Sequence, residues 1–378
     1  MLARRILAAE VVYNGLGTAR ADGAVVVQGE GKDAQIIAVD SLERIKQRFP
    51  EAPVTRVGFA ISPPPVNAHT HLDLSRLPYF RGDYVSFIRH VIAGNRQRGL
   101  EAARDGLAEL RRHGVRVVGD IVAREEVMTL LLSESDLSGV AYWEVIGPDS
   151  AETERIFNET VAKVRAFRRL ERPGGVRVGL SPHTPHTVSA PLLQRLAQFA
   201  RTDGLPMQIH VAETPFEAAL HRTGTGPLAE FMRAFGASWQ PSGLSPVGYL
   251  ASLGVLEARP TLVHMVHVDD EDVRAVQRAG CAVIHCPRSN EALECGRFPW
   301  EQYAKHGVDV ALGTDSLGSA PDLSLEAELS AAAALHGSKA SPLALVRAAV
   351  KGGYRALGLP PPRFGRGDSA SGLYFWRG

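Results

Sequence analysis

Short apolar runs alternate with helical stretches through most of this chain, and that alternation restricts its possible folds more than any other feature. Eight runs read as strands, one around His69 and the others at 115–120, 140–146, 176–180, 207–211, 261–264, 282–285 and 308–312. Near-continuous apolar strands separated by helices are typical of a parallel sheet covered by helices, and eight repeats favour a (β/α)₈ TIM barrel over residues 63–360. A doubly wound open sheet is the alternative, but no G-x-G-x-x-G follows any strand.

The two ends of the chain carry a different pattern. Short β-prone pieces at 10–13 and 24–28 are separated by Gly, Asp and Asn, and a further β-prone piece stands at 372–376. Chain termini often lie close together, so we expect these pieces to pair. The sequence therefore predicts an α/β protein whose segments 1–62 and 361–378 form a small β-sandwich module beside the barrel.

Composition excludes several classes of protein. The 378 residues are 45% hydrophobic and 22% charged with a net charge of +1, which argues against a nucleic-acid partner. No 18-residue apolar run and no adequate signal-peptide core occur, and the three cysteines form no C-x-x-C, so we interpret them as buried small hydrophobes. We expect a cytoplasmic protein with a small-molecule substrate and no membrane partner, and a homodimer as the default assembly.

Side chains with metal-binding or acid–base chemistry collect where the predicted strands end. They are His69, His71, His183, His210, His264 and Asp315. The carboxyl ends of barrel strands form the face where active sites are built, so we expect these side chains to meet. The histidines of helices and their loops are interpreted as surface or capping residues; they are His90, His113, His221, His306 and His336.

Three imidazoles and one carboxylate at that face suit one divalent metal ion, zinc or iron. His69 and His71 stand two residues apart on an extended segment, so their side chains point the same way. An N-cap role is the alternative for Asp315, but the nearby histidines favour a ligand. Glu213, three residues after His210, can reach a bound water without being a ligand itself. A bridging lysine for a second metal is missing from strand four, which favours a single ion.

Six motifs carry a close resemblance to the amidohydrolase superfamily, and in particular to its mononuclear chlorohydrolase and purine-deaminase branch. They are N-A-H-T-H at 67–71, S-P-H-T-P-H-T-V-S at 181–189, H-V-A-E-T at 210–214, L-V-H-M-V-H at 262–267, H-C-P-R-S-N at 285–290 and G-T-D-S at 313–316. The metal ligands that the resemblance implies are His69, His71, His210 and Asp315. It also implies that Glu213 and His264 act on the water and the departing group, and that His183 touches the substrate heterocycle.

Hydrolytic deamination of an aminopurine-like ring is the reaction that this resemblance implies. Glu213 then protonates a ring nitrogen, Asp315 accepts a proton from water, and His264 polarises the developing oxyanion. Two alternatives stay open. One is another mononuclear amidohydrolase acting on guanine, adenosine-type nucleosides or triazines, and the other is a non-catalytic metal-bound barrel that binds a purine.

Shorter stretches at 143–147, 295–299 and 316–319 look like the aminodeoxyfutalosine deaminases of menaquinone synthesis. This narrower resemblance implies conversion of 6-amino-6-deoxyfutalosine to futalosine and ammonia. We expect a polar tail of such a substrate to contact Trp143, Arg81 and Arg297. Whether the remaining histidines of the motifs are functional or structural is left open; they are His186, His267 and His285.

Overall fold

Strands and helices alternate regularly through the middle of the chain in a computed structural model that describes residues 3–15, 17–236, 239–360 and 362–377. The strands are β1 Arg4–Tyr13, β2 Ala19–Gln28, β3 Gln35–Ser41, β4 Val54–Arg56, β5 Ala60–Ser62, β6 Val66–Thr70, β7 Val117–Val122, β8 Ser138–Val145, β9 Val176–Pro182, β10 Gln208–Val211, β11 Thr261–His264, β12 Val283–His285, β13 Val310–Leu312 and β14 Tyr374–Trp376. The α-helices are α1 Leu42–Arg48, α2 Tyr84–Ala93, α3 Leu100–Arg112, α4 Glu125–Thr129, α5 Thr153–Arg168, α6 Ala190–Asp203, α7 Pro215–Thr223, α8 Pro227–Ala234, α9 Pro246–Ser252, α10 Asp270–Ala279, α11 Pro287–Ala292, α12 Trp300–His306, α13 Leu325–His336, α14 Pro342–Arg347 and α15 Gly353–Ala356. None of the helices in these ranges combines the length and the apolar character needed to cross a bilayer.

The eight strands from β6 to β13 form two parallel four-stranded sheets, in the orders β6-β7-β8-β9 and β10-β11-β12-β13. Single parallel bridges link the outer strands of the two sheets, between Thr70 and Asp315 and between Leu180 and Met207. All eight predicted strands are present, and the mixed α/β class is confirmed. Closure into one barrel stays a prediction, because the two sheets are joined at each junction by a single β-bridge and not by a continuous ladder of strand pairing.

Both faces of these strands are covered, which explains their apolar sequences. Every residue of β7 and of β10 is buried. Alternate side chains such as Val66, Ala68 and Ile284 form one apolar cluster, while their strand neighbours pack in a second cluster with helix residues. With the strands parallel, their carboxyl ends meet at one edge, where loops can bring polar side chains together.

One predicted helix is divided in two. The sequence reads as a continuous helical stretch through Leu110, but α2 ends at Ala93 and α3 begins at Leu100. Gly94 follows α2 at a position where an added Cβ would lie 2.2 Å from the Leu77 side chain, and Gly99 has a φ of 122°, which a side chain would disfavour. The chain changes direction between α2 and α3, and α2 lies over the carboxyl ends of the strands.

The two ends of the chain share one six-stranded sheet, of order β14-β5-β1-β2-β3 with β4 also paired to β1. β14 runs antiparallel to β5, with Phe375 opposite Ile61, and the indole Nε1 of Trp376 donates to Ser62 Oγ at 2.8 Å. The predicted pairing of the tail with the N-terminal segment is therefore confirmed. The predicted sandwich is not, because the described strands of this region form a single sheet. Residues 1, 2, 16, 361 and 378 of the predicted module lie outside the described ranges.

Candidate active site

Four side chains predicted to bind a metal lie together at the carboxyl ends of β6, β10 and β13. The Nε2 atoms of His71 and His210 are 3.2 Å apart, and Asp315 Oδ1 is 3.6 Å from Nε2 of both His69 and His71. Nε2 of His69 is buried and finds no hydrogen-bond partner among the described residues. Burial lowers the pKa of His71 and of His210 well below the usual value, so both rings are neutral.

This arrangement fits a cation. The donor set consists of two neutral imidazole nitrogens that face each other, a third imidazole nitrogen without a partner, and a carboxylate oxygen. Hydrogen bonds among these atoms cannot satisfy all of them, whereas a divalent ion can. The four donors come from residues far apart in the chain, and the structure brings them together. Their assignment as ligands stays a prediction.

Hydrogen bonds behind the cluster hold its rings in orientation. His210 Nδ1 donates to the carbonyl oxygen of His183 at 2.9 Å, and His69 Nδ1 donates to Gln208 Oε1 at 2.6 Å. The amide of Gln208 is itself oriented, since its Nε2 donates to the Ala68 carbonyl. With Nδ1 protonated in both rings, each Nε2 presents its lone pair towards the cluster. Gln208 and His210 point to the same side of β10 because they lie two residues apart, and side chains alternate along a strand.

Asp315 is held by hydroxyl groups. Its Oδ2 accepts from Ser289 Oγ at 2.6 Å and from Ser319 Oγ at 3.1 Å. Hydrogen bonds donated to a carboxylate favour its ionised form. The backbone of Asp315 has a φ of 61° and that of His264 a φ of 71°, both in the left-handed region. Such strain at two strand ends turns these side chains towards the cluster and is typical of functional sites.

Glu213 lies beside the cluster with its carboxyl group buried. Burial, followed by the charge of Asp315, raises its pKa to about 8. Its Oε1 is 3.6 Å from His264 Nε2 and accepts a weak hydrogen bond from Cys295 Sγ at 3.7 Å. Its backbone N–H donates to Glu217 Oε2, at the start of α7, where Thr214 is the N-cap. At neutral pH, Glu213 can therefore give a proton to a neighbouring base.

His264 is buried with its ring fixed by Asn290. Its Nδ1 is 2.9 Å from Asn290 Oδ1, an amide oxygen that can only accept, so Nδ1 carries the proton. Burial lowers the pKa of His264. Nε2 of the neutral ring is then an acceptor that faces Glu213, and His264 donates from Nε2 only after it has taken up a proton.

A cavity of about 320 Å³ opens above the cluster. Its floor is polar and includes His183, Arg98 and Glu144. One wall is apolar and comes from α2 and α8; its residues are Phe87, Ile88, Val91, Ile92, Leu228, Phe231 and Met232. A flat, mostly apolar ligand with a few polar groups matches such a lining.

Three predicted substrate contacts do not reach this cavity. On β8 it is Glu144 that faces the cavity, so Trp143 points the other way and packs on Phe167, with ring centroids 5.3 Å apart. Arg81 pairs with Glu291 and Arg297 with Glu301, in both cases at the surface. His183 does line the cavity, with Nδ1 held 2.9 Å from Thr187 Oγ1.

Several cavity and contact residues were missed in the sequence. They are Tyr84, Arg98, Glu144, Gln208, Glu217, Asn290 and Cys295. A signal existed for Glu144 and Gln208, since each is a polar residue in register with inward-facing positions of an apolar strand. Tyr84 and Arg98 come from the segment that the sequence presents as one helix, so no strand pattern points to them.

The interpretation of two histidines as surface or capping residues is wrong. His221 is fully buried and His336 nearly so. His336 lies against His285, with Nε2 atoms 3.2 Å apart, and the His285 ring stacks on that of Phe298 with centroids 4.1 Å apart. His221 faces inward from α7 together with Glu217 and Leu220. His267, left open from the sequence, is held by a backbone contact of its Nε2 with the Cys295 carbonyl.

Comparisons with known proteins give a family match and sequence relatives. Residues 60–362 match the model of the amidohydrolase family. The chain is 45% identical to an aminodeoxyfutalosine deaminase from Deinococcus radiodurans over 98% of its own length and 90% of that protein.

Solved structures share the fold. The aminofutalosine deaminase of Helicobacter pylori in complex with methylthio-coformycin matches with a TM-score of 0.76 at 20% identity, over 97% of this chain and 90% of that one. An adenosine deaminase from Xanthomonas campestris with bound zinc matches with a TM-score of 0.68 at 24% identity, over 97% of this chain and 83% of that one.

Proposed function

The chain belongs to the amidohydrolase family, and on that basis we propose that it is a metal-dependent hydrolase that removes an amino group from a purine-like ring. The substrate is 6-amino-6-deoxyfutalosine, and the products are futalosine and ammonia, within menaquinone biosynthesis. The 45% identity to the Deinococcus enzyme over nearly the whole length of both chains supports this substrate.

The observation that carries the proposal is the buried carboxyl group of Glu213 beside the histidine cluster, 3.6 Å from His264 Nε2. A cation-binding cluster alone would serve a structural site equally well. A buried carboxylic acid next to it adds a proton donor, which deamination of an amidine-like ring requires. The two features together favour an enzyme over a non-catalytic purine-binding barrel.

One divalent cation is held by His69, His71, His210 and Asp315 in this proposal. When bound, the cation acts as a Lewis acid that makes water a better nucleophile at neutral pH. Zinc is the ion we propose, because imidazole and carboxylate donors suit it and the Xanthomonas relative contains it.

The side chains of this protein move the protons. Glu213 donates to a ring nitrogen, which makes the adjacent amino-bearing carbon electrophilic, and Asp315 accepts a proton from the attacking water. That proton is then passed to the amino group, which leaves as ammonia while the carbon keeps the oxygen of the water. His264 faces the same point through Nε2, and when it carries a proton there in addition to the one on Nδ1 it stabilises the negative charge that develops on that oxygen. The proton of Glu213 goes to the ring nitrogen and not to His264. His183 contacts the ring from the cavity floor.

The apolar wall from α2 and α8 supports a substrate larger than a free base. When the purine ring lies over the polar floor, the apolar wall is left to pack against the rest of the substrate. Arg98 and Glu144 then replace Trp143, Arg81 and Arg297 as the side chains that contact its polar atoms.

We also propose a domain division for this enzyme. Residues 63–360 form a closed (β/α)₈ catalytic domain, supported by the bridges at both junctions of its two sheets. Residues 1–62 and 361–378 form a separate β module, supported by the pairing of β14 with β5. We propose a cytoplasmic enzyme that works as a homodimer.

Ammonia release by the purified zinc-loaded protein tests the proposed reaction. The panel comprises aminodeoxyfutalosine, adenosine, methylthioadenosine, guanine and an aminotriazine. We expect the highest kcat/KM with aminodeoxyfutalosine. A higher value with another aminopurine would change the substrate, and no release from any member of the panel would remove the deaminase proposal.

A further inference from the structure

We propose that His186, Glu217 and His221 form a second divalent-cation site, separate from the cluster around His69. The proposal goes beyond the deaminase function, since none of these three residues takes part in the chemistry described above. It rests on the positions of the three side chains, on their unpartnered polar atoms and on their burial.

Sequence spacing brings two of the donors to one face of a helix. Glu217 and His221 stand four residues apart on α7, so their side chains lie one above the other. His186 comes from the loop after β9 and approaches the same face. Its Nδ1 is 3.9 Å from Glu217 Oε1, and one donor atom from each of the three residues lies within 4.8 Å of the other two.

The donor atoms are buried and without partners. The exposed fractions are 4% for His186, 3% for Glu217 and 0% for His221. Among the residues that the structure describes, no hydrogen-bond partner exists for His186 Nδ1, for Glu217 Oε1 or for either ring nitrogen of His221. Buried polar atoms are normally paired, and several unpaired atoms that face one point indicate a missing ligand.

The chemistry of the donors suits a cation such as zinc. Burial lowers the pKa of His186 well below its usual value and that of His221 to about 3, so both imidazoles are neutral, the form that binds metal ions. Burial raises the pKa of Glu217 to about 8, so a bound cation would take the place of its proton. Two histidines and one glutamate are a known zinc donor set. Donors around zinc lie roughly 3.3 Å apart, so side-chain shifts of about 1 Å would bring this set to ligand distances.

Glu217 connects the proposed cation site to the backbone of Glu213 in the active site. One oxygen, Oε2, accepts from the backbone N–H of Glu213, while the other, Oε1, faces His186. A cation bound to Oε1 would tie α7 to the loop after β9 and so fix the backbone that carries Glu213. His186 also borders the active-site cavity, which gives the ion a path to the site.

Counting zinc tests the proposal. The purified protein is loaded with zinc, freed of excess by gel filtration and measured by mass spectrometry of the metal. We expect about two equivalents per chain for the unchanged protein and about one for His221→Gln. The matched control is His336→Gln, which removes another buried histidine and should retain about two equivalents. One equivalent in the unchanged protein, or equal zinc content in both variants, overturns the proposal.

A second measurement does not depend on the folding of a variant. Anomalous diffraction at the zinc edge, from crystals of the loaded unchanged protein, should give a peak between His186, Glu217 and His221. A peak at the His69 cluster alone overturns the second site. Deaminase activity is assayed separately on the same protein, so loss of the second site and loss of the proposed function are distinguishable.

Discussion

Glu213 and Glu217 are joined by one hydrogen bond, in which the backbone N–H of Glu213 donates to the side-chain Oε2 of Glu217 at 2.9 Å. The carboxyl group of Glu213 points the other way, with Oε1 3.6 Å from His264 Nε2. The carboxyl group of Glu213 is thus placed for proton transfer, and the carboxyl group of Glu217 holds the backbone of Glu213.

Replacing Glu213 by glutamine removes the proton donor and keeps the shape of the side chain. We expect kcat to fall by ~10²-fold or more while zinc content is unchanged, because Glu213 is not a ligand. Steady-state kinetics and metal analysis of the same preparation measure both. Glu230→Gln, on the exposed side of α8, is the control and should keep full activity. Full activity in Glu213→Gln would require a different proton donor.

The rate should depend on pH through Glu213. Its pKa is raised to about 8, and a donor acts in its protonated form, which predominates below that value. We therefore expect kcat/KM to decrease by about tenfold per pH unit as the pH rises above about 8. Initial rates from about pH 6 to about pH 10 measure this limb. A kcat/KM that rises through the same range would mean that the ionised carboxylate is the active form.

Gln208 should control metal affinity through His69. Gln208→Leu removes the oxygen that accepts from His69 Nδ1, so the ring loses the bond that fixes its tautomer and orientation. We expect zinc affinity to fall by ~10- to 100-fold, measured by competition with a chelating dye. Gln208→Glu keeps an acceptor oxygen and should retain most of the affinity. Equal losses in the two variants would contradict the orienting role.

The apolar wall should bind substrate without taking part in the chemistry. Phe231→Ala removes an aromatic ring from the cavity, and the lost burial of about 1.5–3 kcal/mol corresponds to an increase in KM of ~10- to 100-fold with kcat little changed. Phe235→Ala is the matched control, since Phe235 follows the same helix but is 64% exposed. A similar KM in both variants would place the substrate elsewhere in the cavity.

Stability should depend on a buried ion pair behind the site. Glu328 is fully buried on α13, and its Oε1 accepts from Arg288 Nε at 2.6 Å. Glu328→Gln removes the buried carboxylate and leaves Asp322 Oδ1, 2.9 Å from Arg288 Nη1, as the remaining ion-pair partner, so we expect the free energy of unfolding to decrease by about 1.5–3 kcal/mol in denaturant titrations. Glu326→Gln on the same helix is only partly buried and should have a small effect. An equal effect of the two substitutions would show that the pair is not stabilising.

Much of the site was predictable because strand ends can be recognised in a sequence. His69, His210, His264 and Asp315 each follow or end an apolar run, and parallel strands bring such ends to one edge. The strand at the C-terminal end of the sequence was also predictable, because its β-prone, aromatic residues suit an edge strand.

Other features depend on contacts that sequence periodicity does not encode. Strand alternation is known only once the register is fixed, so Trp143 was chosen where Glu144 faces the cavity. The division between α2 and α3 depends on Leu77 packing where a Cβ on Gly94 would stand, a contact from a distant loop. His221 lies on a helix like the surface histidines, and only tertiary packing distinguishes it from them.

The pairing of β14 with β5 sets an order of events during synthesis. Residues 374–376 complete a sheet whose neighbouring strand, 60–62, leaves the ribosome more than three hundred residues earlier. The edge of β5 that β14 covers therefore stays without this partner until residues 374–376 have been made. Completion of the sheet has to follow synthesis of the whole segment between the two strands.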